Sequence, residues 1–120
     1  MDDPESCVFC KIVGGEIPSI VVAESDRALA FRDLNPQAPT HVLVITRDHH
    51  TDVGALARAD PAALADLVAL AARVAADEGL ADASAGGHRL VFNTGAGAGQ
   101  SVFHVHGHVL GGRPMRWPPG

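Results

Sequence analysis

The amino-acid sequence predicts an α+β domain: an antiparallel sheet of about five strands, one main helix and a short N-terminal helix. Short runs of apolar and β-branched residues are separated by clusters of Gly, Pro, Asn and Asp, which is the pattern of strands joined by turns. One longer stretch repeats its apolar residues at intervals of three and four, as an amphipathic helix does. The 120 residues are enough for one core, so residues 1–120 are expected to form a single domain.

The composition bounds the possible partners and the location. Hydrophobic residues make up 47% of the chain and charged residues 19%, which is typical of a folded globular protein. The net charge of −5 disfavours a nucleic-acid polymer, although backbone N–H groups and histidines can still hold one nucleotide. No apolar run approaches the roughly 20 residues of a membrane span, and residues 1–5 do not resemble a signal peptide. We therefore expect no membrane partner and a cytoplasmic location with reduced thiols.

The first element is a short amphipathic turn that begins at Cys7-Val8-Phe9-Cys10 and ends at the glycines 14–15. A single C-x-x-C is compatible with a zinc half-site, a redox pair or coincidence. The redox interpretation expects a thioredoxin-like βαβ unit, which does not follow in the sequence. A zinc half-site needs two further ligands, and the later histidines can supply them.

Three strands are predicted next, at residues 20–23, 28–34 and 40–46, with turns at 24–27 and 35–39. The third strand is almost continuously apolar. A strand of this kind is typical of the middle of a sheet, where both faces are covered.

The main helix is predicted to begin at Asp60-Pro61, with Asp60 as the N-cap and Pro61 in the first helical position. It is expected to end at Glu78-Gly79 after about 18 residues, because glycine commonly follows the last helical turn. Packing against the sheet is the favoured role of its apolar face, and an interface role is the alternative. The predicted face consists of Leu64, Leu67, Val68, Ala71, Ala72, Val74 and Ala75.

A fourth strand is predicted at residues 88–93, and a glycine-rich loop at 95–101 joins it to a histidine-bearing strand at 100–110. A loop of this composition can simply turn the chain. Directly before several histidines, its backbone can also approach a phosphate closely and offer N–H donors.

His104, His106 and His108 alternate with other residues, so a strand would place all three imidazoles on one face. At about 3.3 Å per residue the outer two stand about 13 Å apart, which is too far for all three to bind one zinc ion. We therefore expect at most two neighbours to share a metal, and at least one histidine to serve catalysis or bind a polar ligand.

Residues 104–110 resemble the His-x-His-x-His-x-x motif of the histidine triad family. Further segments resemble the family in the same order, namely residues 31–34, 36–41, Asn93, 99–101 and 110–120. The last segment resembles the C-terminal tail of the Hint-like branch, the purine nucleoside phosphoramidases. The resemblance implies a HIT-like fold over the whole chain. It also implies a two-fold homodimer whose tail reaches toward the partner's active site.

The resemblance further implies a site for a purine nucleotide such as AMP or GMP. His106 matches the nucleophile that attacks the α-phosphorus, and His108 matches the residue that contacts the phosphate and assists the leaving amine. Asp33 matches the carboxylate that binds the ribose hydroxyls, although a turn carboxylate capping Asn35 is its simpler interpretation. The remaining implied residues are Ser101 and His41 in the catalytic set, Asn93, Gly99, Gln100 and Ser101 at the phosphate, and Phe9, Ile12, Ile17 and Leu34 around the base.

The leading hypothesis is hydrolysis of purine nucleoside phosphoramidates, of AMP-amine or AMP-lysine type, through a covalent nucleotidyl-histidine. Imidazole is nucleophilic near neutral pH, and a covalent intermediate divides one difficult displacement into two easier ones. A dinucleoside polyphosphate hydrolase is an alternative, which the ending at residues 117–120 disfavours. A nucleotide-binding interaction module without turnover is another. A catalytic zinc on the triad is a third, weakened by the spacing of its histidines.

A structural zinc ion is predicted at Cys7, Cys10, His49 and His104, with no metal required for catalysis. His104 is chosen because a metal on His106 would consume the nucleophile. His49 is preferred to His50 only because it matches the family position, since periodicity does not separate the two. Two reduced cysteines packed as small apolar residues are the alternative.

Gly107 departs from the resemblance, because the family usually has a bulky apolar residue at this position. We therefore expect an emptier core beneath the triad and a looser strand.

Overall fold

The computed structural model describes residues 4–81 and 86–120, and within them five strands form one antiparallel sheet in the order β1-β2-β3-β5-β4. The prediction about a signal peptide was made on residues 1–5, of which residues 1–3 lie outside the described residues. The strands are β1 (Val21–Glu24), β2 (Ala28–Arg32), β3 (Thr40–Thr46), β4 (His88–Phe92) and β5 (His106–Gly111), and the helices are α1 (Val8–Val13), α2 (Val53–Ala59) and α3 (Pro61–Asp77). The α+β prediction is confirmed. Among the described residues, no helix has both the length and the apolar character needed to cross a membrane.

β3 is the central strand, and its observed bounds are the predicted ones, with all seven residues buried. β2 ends at Arg32, two residues earlier than predicted. It ends there because Asp33 turns the chain: its Oδ1 accepts a hydrogen bond from the Asn35 amide at 2.8 Å.

α3 packs across one face of the sheet against β1, β2, β3 and β5, as predicted. The Asp60 side chain accepts from the Ala63 amide, and Pro61 occupies the first turn. The apolar face differs from the predicted one, because Val68 is 41% exposed and Ala72 is also exposed. At about 100° per residue, both lie beyond the edge of the stripe centred near Leu67. The buried residues are Ala63, Leu67, Leu70, Ala71, Val74 and Ala75.

α2 was not predicted from the sequence. Asp52 caps its first turn by accepting from the Ala55 amide, and the helix ends at Asp60, which also caps α3. Leu56 is its only buried residue, so the segment carries no apolar periodicity that would indicate a helix.

The predicted histidine strand is shorter than expected, since β5 begins only at His106. The preceding segment is held irregularly, with the Val105 amide donating to the His50 carbonyl at 2.7 Å. His104 therefore lies before the strand that was expected to carry all three histidines. Val105 and Val109 pack in the core on the α3 side, whereas Phe9 on the opposite side contacts both His104 and His106, so the histidines still lie on one side of the sheet.

The expected gap beneath Gly107 is filled. A Cβ atom placed on Gly107 would lie 2.9 Å from Leu90 Cδ1 and 3.1 Å from Phe92 Cε1. Phe92 stands directly opposite Gly107 in the β4–β5 register, so its ring covers the glycine. The missing side chain is thus compensated by the neighbouring strand.

Replacing Gly107 with leucine should destabilise the protein by roughly 1–3 kcal/mol, because the added carbons overlap Leu90 and Phe92. Urea unfolding measures the change. A double variant, Gly107→Leu with Phe92→Ala, should recover part of the loss. Wild-type stability of the single variant would contradict this packing account.

Candidate active site and metal centre

A cleft of about 300 Å³ lies on the sheet face opposite α3, between α1 and the strands. It brings together most of the predicted nucleotide-binding residues. Its apolar part includes the predicted Phe9, Ile12, Ile17 and Leu34, together with Val8, Phe31 and Leu43, and its polar part includes Asp33, Ser101, His106 and His108. The apolar and polar groups therefore share one cleft, with Leu34 90% exposed at its rim.

His106 is held with a free ring nitrogen. Its Nδ1 lies 2.8 Å from the His104 carbonyl oxygen, which can only accept, so Nδ1 carries the proton. The lone pair is then on Nε2. Burial lowers the pKa of His106 below 6.5, opposed by the hydrogen bond to His104 and the charge of Asp33. The imidazole is thus neutral at pH 7, with Nε2 available as a nucleophile.

A chain of hydrogen bonds sets the opposite tautomer in His108. The Gln37 amide donates to Nδ1 of His41 at 3.0 Å, so neutral His41 carries its proton on Nε2. That nitrogen lies 2.9 Å from Nδ1 of His108, which accepts, and the His108 proton is left on its own Nε2. His108 can therefore donate a hydrogen bond in the cleft.

The pKa values of His108 and His41 favour the neutral forms of both residues in this chain of hydrogen bonds. Burial, together with the nearby His106 and His41, lowers the pKa of His108 to about 4, against the opposing charge of Asp33. Burial also lowers the pKa of His41, while the Asp33 charge opposes that effect.

Asp33 caps the turn, as its simpler interpretation expects, and it also lines the cleft, while its role at the ribose stays a prediction. Its Oδ2 is 3.4 Å from Nε2 of His41. Asp33, His41 and His108 are close enough to hold a metal ion. The Gln37 amide argues against one, because a metal on Nε2 of His41 would require an imidazolate.

Gln100 closes the glycine-rich loop. Its side chain accepts from the Gly95 amide at 2.9 Å and donates to the Thr51 and Val102 carbonyls. Its own amide donates to the Gly95 carbonyl, and the residue is 3% exposed. Gln100, Asn93, Gly99 and His41 are not among the described residues that line the cleft. The phosphate contacts assigned to the first three therefore stay predictions.

Cys7, Cys10, His49 and His104 come together beside α1, with their ligand atoms within 4.8 Å of one another. Nδ1 of His104 is 3.4 Å from both sulfur atoms, and Nδ1 of His49 is 3.4 Å from Cys10 Sγ. Tetrahedral zinc would separate sulfur and nitrogen ligands by roughly 3.5 Å. The four residues predicted from the sequence thus have the spacing of a zinc site, and His50 lies outside this group.

The chemistry of these four residues also fits a metal ion. Nε2 of His104 donates to the Thr46 carbonyl at 2.7 Å, which leaves the Nδ1 lone pair directed at the sulfurs. Burial lowers the pKa of His104 to about 4, so the ring stays in the neutral form that binds metals. Burial raises the pKa of the Cys10 thiol to about 11, and a cation would offset that cost by stabilising the thiolate.

Several groups of the site were not predicted from the sequence. Leu43 could have been found, because alternation along β3 gives it the same face as His41. The Gln37 amide and the Thr46 carbonyl are backbone groups, so no residue type indicates their roles.

Together, the fold and the site define a small α+β protein whose histidine-based site lies on one face of an antiparallel sheet. The chain matches the HIT domain model over residues 14–115 and belongs to that family.

Individual relatives agree with this assignment. The chain is 47% identical over 120 residues to the 14 kDa zinc-binding protein of Zea mays, covering 98% of this chain and 91% of the relative. It is 42% identical over 111 residues to the purine nucleoside phosphoramidase of Escherichia coli K12, covering 92% and 91%. The crystal structure of a HIT family hydrolase from Legionella pneumophila Philadelphia 1 superposes with a TM-score of 0.89 at 49% identity, covering 96% of this chain and 100% of that one.

Proposed function

We propose that this protein hydrolyses the P–N bond of purine nucleoside phosphoramidates, of AMP-amine or AMP-lysine type, through a nucleotidyl-histidine intermediate. The observation that carries the proposal is the pair of opposite tautomers, with a lone pair on Nε2 of His106 and a proton on Nε2 of His108. A nucleophile and a donor are thereby offered in one cleft. The similarity to the purine nucleoside phosphoramidase of Escherichia coli K12 supports the same activity.

The cleft suits one mononucleotide. Its apolar part binds the base, and Asp33 accepts hydrogen bonds from the ribose hydroxyls. Ser101, His106 and His108 surround the α-phosphate. A volume of about 300 Å³ is at the lower end for ligand sites, which favours one nucleotide over a dinucleoside polyphosphate.

The reaction proceeds in two displacements. Nε2 of His106 attacks the α-phosphorus as the P–N bond breaks, and the amine leaves with one proton delivered through Nε2–H of His108. Water then attacks the phosphorus and the P–Nε2 bond of His106 breaks. One proton of this water replaces the proton that His108 delivered to the amine. One water molecule is used overall, and AMP and the amine are released.

Release of AMP from two substrates tests this proposal against its alternatives. Adenosine 5′-phosphoramidate should be turned over with a higher kcat/KM than a diadenosine polyphosphate. The reverse preference would favour the polyphosphate hydrolase. AMP binding without turnover of either substrate would favour a nucleotide-binding interaction module.

The pH profile should reflect the buried position of the nucleophile. Because burial lowers the pKa of His106, its neutral form persists below pH 6.5. Measured for adenosine 5′-phosphoramidate, kcat/KM should fall on acidification with a midpoint below pH 6.5. Circular dichroism controls for acid unfolding. A midpoint at or above 6.5 in folded protein would contradict this account.

Replacing Asp33 with asparagine should raise KM for adenosine 5′-phosphoramidate roughly 10- to 100-fold, because hydrogen bonds from the ribose to a charged acceptor are lost. The new amide oxygen can still accept from the Asn35 amide. The 2′,3′-dideoxy substrate is the control and should be little affected. An equal loss on both substrates would argue against ribose recognition by Asp33.

A structural zinc ion at Cys7, Cys10, His49 and His104 is part of the proposal. Four protein ligands leave no open position for water, so such an ion would hold the fold without catalysing the reaction. The similarity to the 14 kDa zinc-binding protein of Zea mays supports this part of the proposal.

A cytoplasmic homodimer is also proposed. β4 is a sheet edge, and Trp117 in the adjoining tail is 82% exposed, which suits cover by a second chain. Light scattering should give twice the chain mass of 12.4 kDa at micromolar concentration. The monomer mass would count against the dimer.

A further inference from the structure

We propose that His104 and Phe9 couple the metal centre to the cleft, so that metal occupancy sets the affinity for the nucleotide and the alignment of His106. Here the metal centre means Cys7, Cys10, His49 and His104. The inference rests on the proposed function for the identity of the ligand in the cleft. It assigns positioning roles to two residues whose contacts reach both sites.

His104 forms the first link, because one residue serves both sites. Its ring lies between the two cysteine sulfurs and the Thr46 carbonyl, and it is fully buried. Its own backbone carbonyl accepts the Nδ1–H of His106 at 2.8 Å. That bond selects the tautomer of the nucleophile and orients its ring. A metal that fixes the His104 ring therefore restrains the carbonyl that positions His106.

Phe9 forms the second link, since it stands between the two cysteines in α1 and lines the cleft. Its ring centroid is 5.1 Å from that of His106, 5.9 Å from His104 and 5.6 Å from Phe31, with edge-to-face geometry in each pair.

The short length of α1 makes this link depend on the metal. A helix of six residues is not stable alone and relies on tertiary contacts. Cys7 caps the N-terminus of α1, and Cys10 lies one turn further on. A metal bound by both would anchor the backbone on either side of Phe9. Without it, the two cysteine side chains keep only weak hydrogen bonds of their sulfur atoms.

Coupling of this kind is reciprocal. If the metal strengthens nucleotide binding by some factor, the nucleotide must strengthen metal binding by the same factor. We expect a factor of about ten, within the usual range for coupled sites.

Calorimetry with AMP tests the first direction, on protein loaded with Zn²⁺ and on protein stripped by a chelator. AMP should bind the loaded form about tenfold more tightly. Equal affinity in the two forms overturns the coupling and leaves the proposed function intact. Absence of AMP binding in both forms overturns the proposed nucleotide site and this inference with it.

The second direction needs only loaded, folded protein, so it remains decisive if the stripped form unfolds. With Co²⁺ in the centre, thiolate-to-metal absorption reports the ion. Saturating AMP should shift this spectrum and slow removal of Co²⁺ by a chelator about tenfold. An unchanged spectrum together with an unchanged removal rate overturns the inference.

Two matched variants separate coupling from simple loss of cleft surface. Phe9→Leu removes the aromatic contacts to His104 and His106, whereas Ile12→Val trims another cleft residue that carries no ring. Both should bind one Co²⁺. The factor by which AMP slows Co²⁺ removal should fall toward one in Phe9→Leu and stay near ten in Ile12→Val. Full coupling in Phe9→Leu would overturn the role of this residue.

Discussion

Replacing His106 with alanine should lower kcat for adenosine 5′-phosphoramidate by roughly 10⁴-fold or more, as loss of a covalent nucleophile commonly does. Neither neighbouring histidine can substitute for it. Nε2 of His108 carries a proton, and the His104 ring is directed at the cysteines and Thr46. AMP affinity should change far less than kcat, because the apolar part of the cleft and Asp33 remain.

His88→Ala is the control for this experiment, since His88 is an exposed histidine on β4 outside the cleft. It should turn over substrate at the wild-type rate. If the His106→Ala variant also did so, His106 would not be the nucleophile. Calorimetry with AMP distinguishes lost chemistry from lost binding.

Loss of a zinc ligand should produce the largest change in stability. Cys7→Ser and His49→Ala should each abolish stoichiometric zinc and lower Tm by about 10 °C or more, because metal-binding free energy is also folding free energy. Serine at position 7 is informative because it keeps a side chain able to cap α1.

His50→Ala is the matched control, since His50 adjoins His49 in sequence but lies outside the Cys/His group. It should retain zinc and a wild-type Tm. Elemental analysis must use protein purified without metal-affinity resin. If the wild-type protein were metal-free and fully active, and its Tm did not change on addition of zinc, the cysteines would instead be reduced residues that pack as small apolar side chains.

The parts of the fold that were predictable from sequence have local signals. β3 is a continuous apolar strand, and α3 has a capping aspartate, a first-turn proline and a terminal glycine. The Cys/His group was also predicted, because a C-x-x-C zinc half-site needs two further ligands, His106 was set aside as the expected nucleophile, and His49 matched the family position. The structure brings His49, not His50, into that group.

The remaining features depend on contacts between distant segments. β5 starts late because the segment before it is tied to residues 46–51, which no local pattern indicates. The packing at Gly107 depends on Phe92 across the sheet. The tautomers of His106 and His108 depend on the His104 carbonyl and the Gln37 amide. Backbone carbonyl and amide groups occur throughout the chain, so residue identity does not reveal these roles.

Trapping the covalent intermediate tests the central claim most directly. Wild-type protein mixed with adenosine 5′-phosphoramidate is quenched within the first turnover, and intact mass and peptide mapping are measured. The account predicts one adenylyl group on His106, formed before AMP appears in solution and absent from His106→Ala. AMP release without any adduct during the first turnover, or an adduct on another residue, would contradict it.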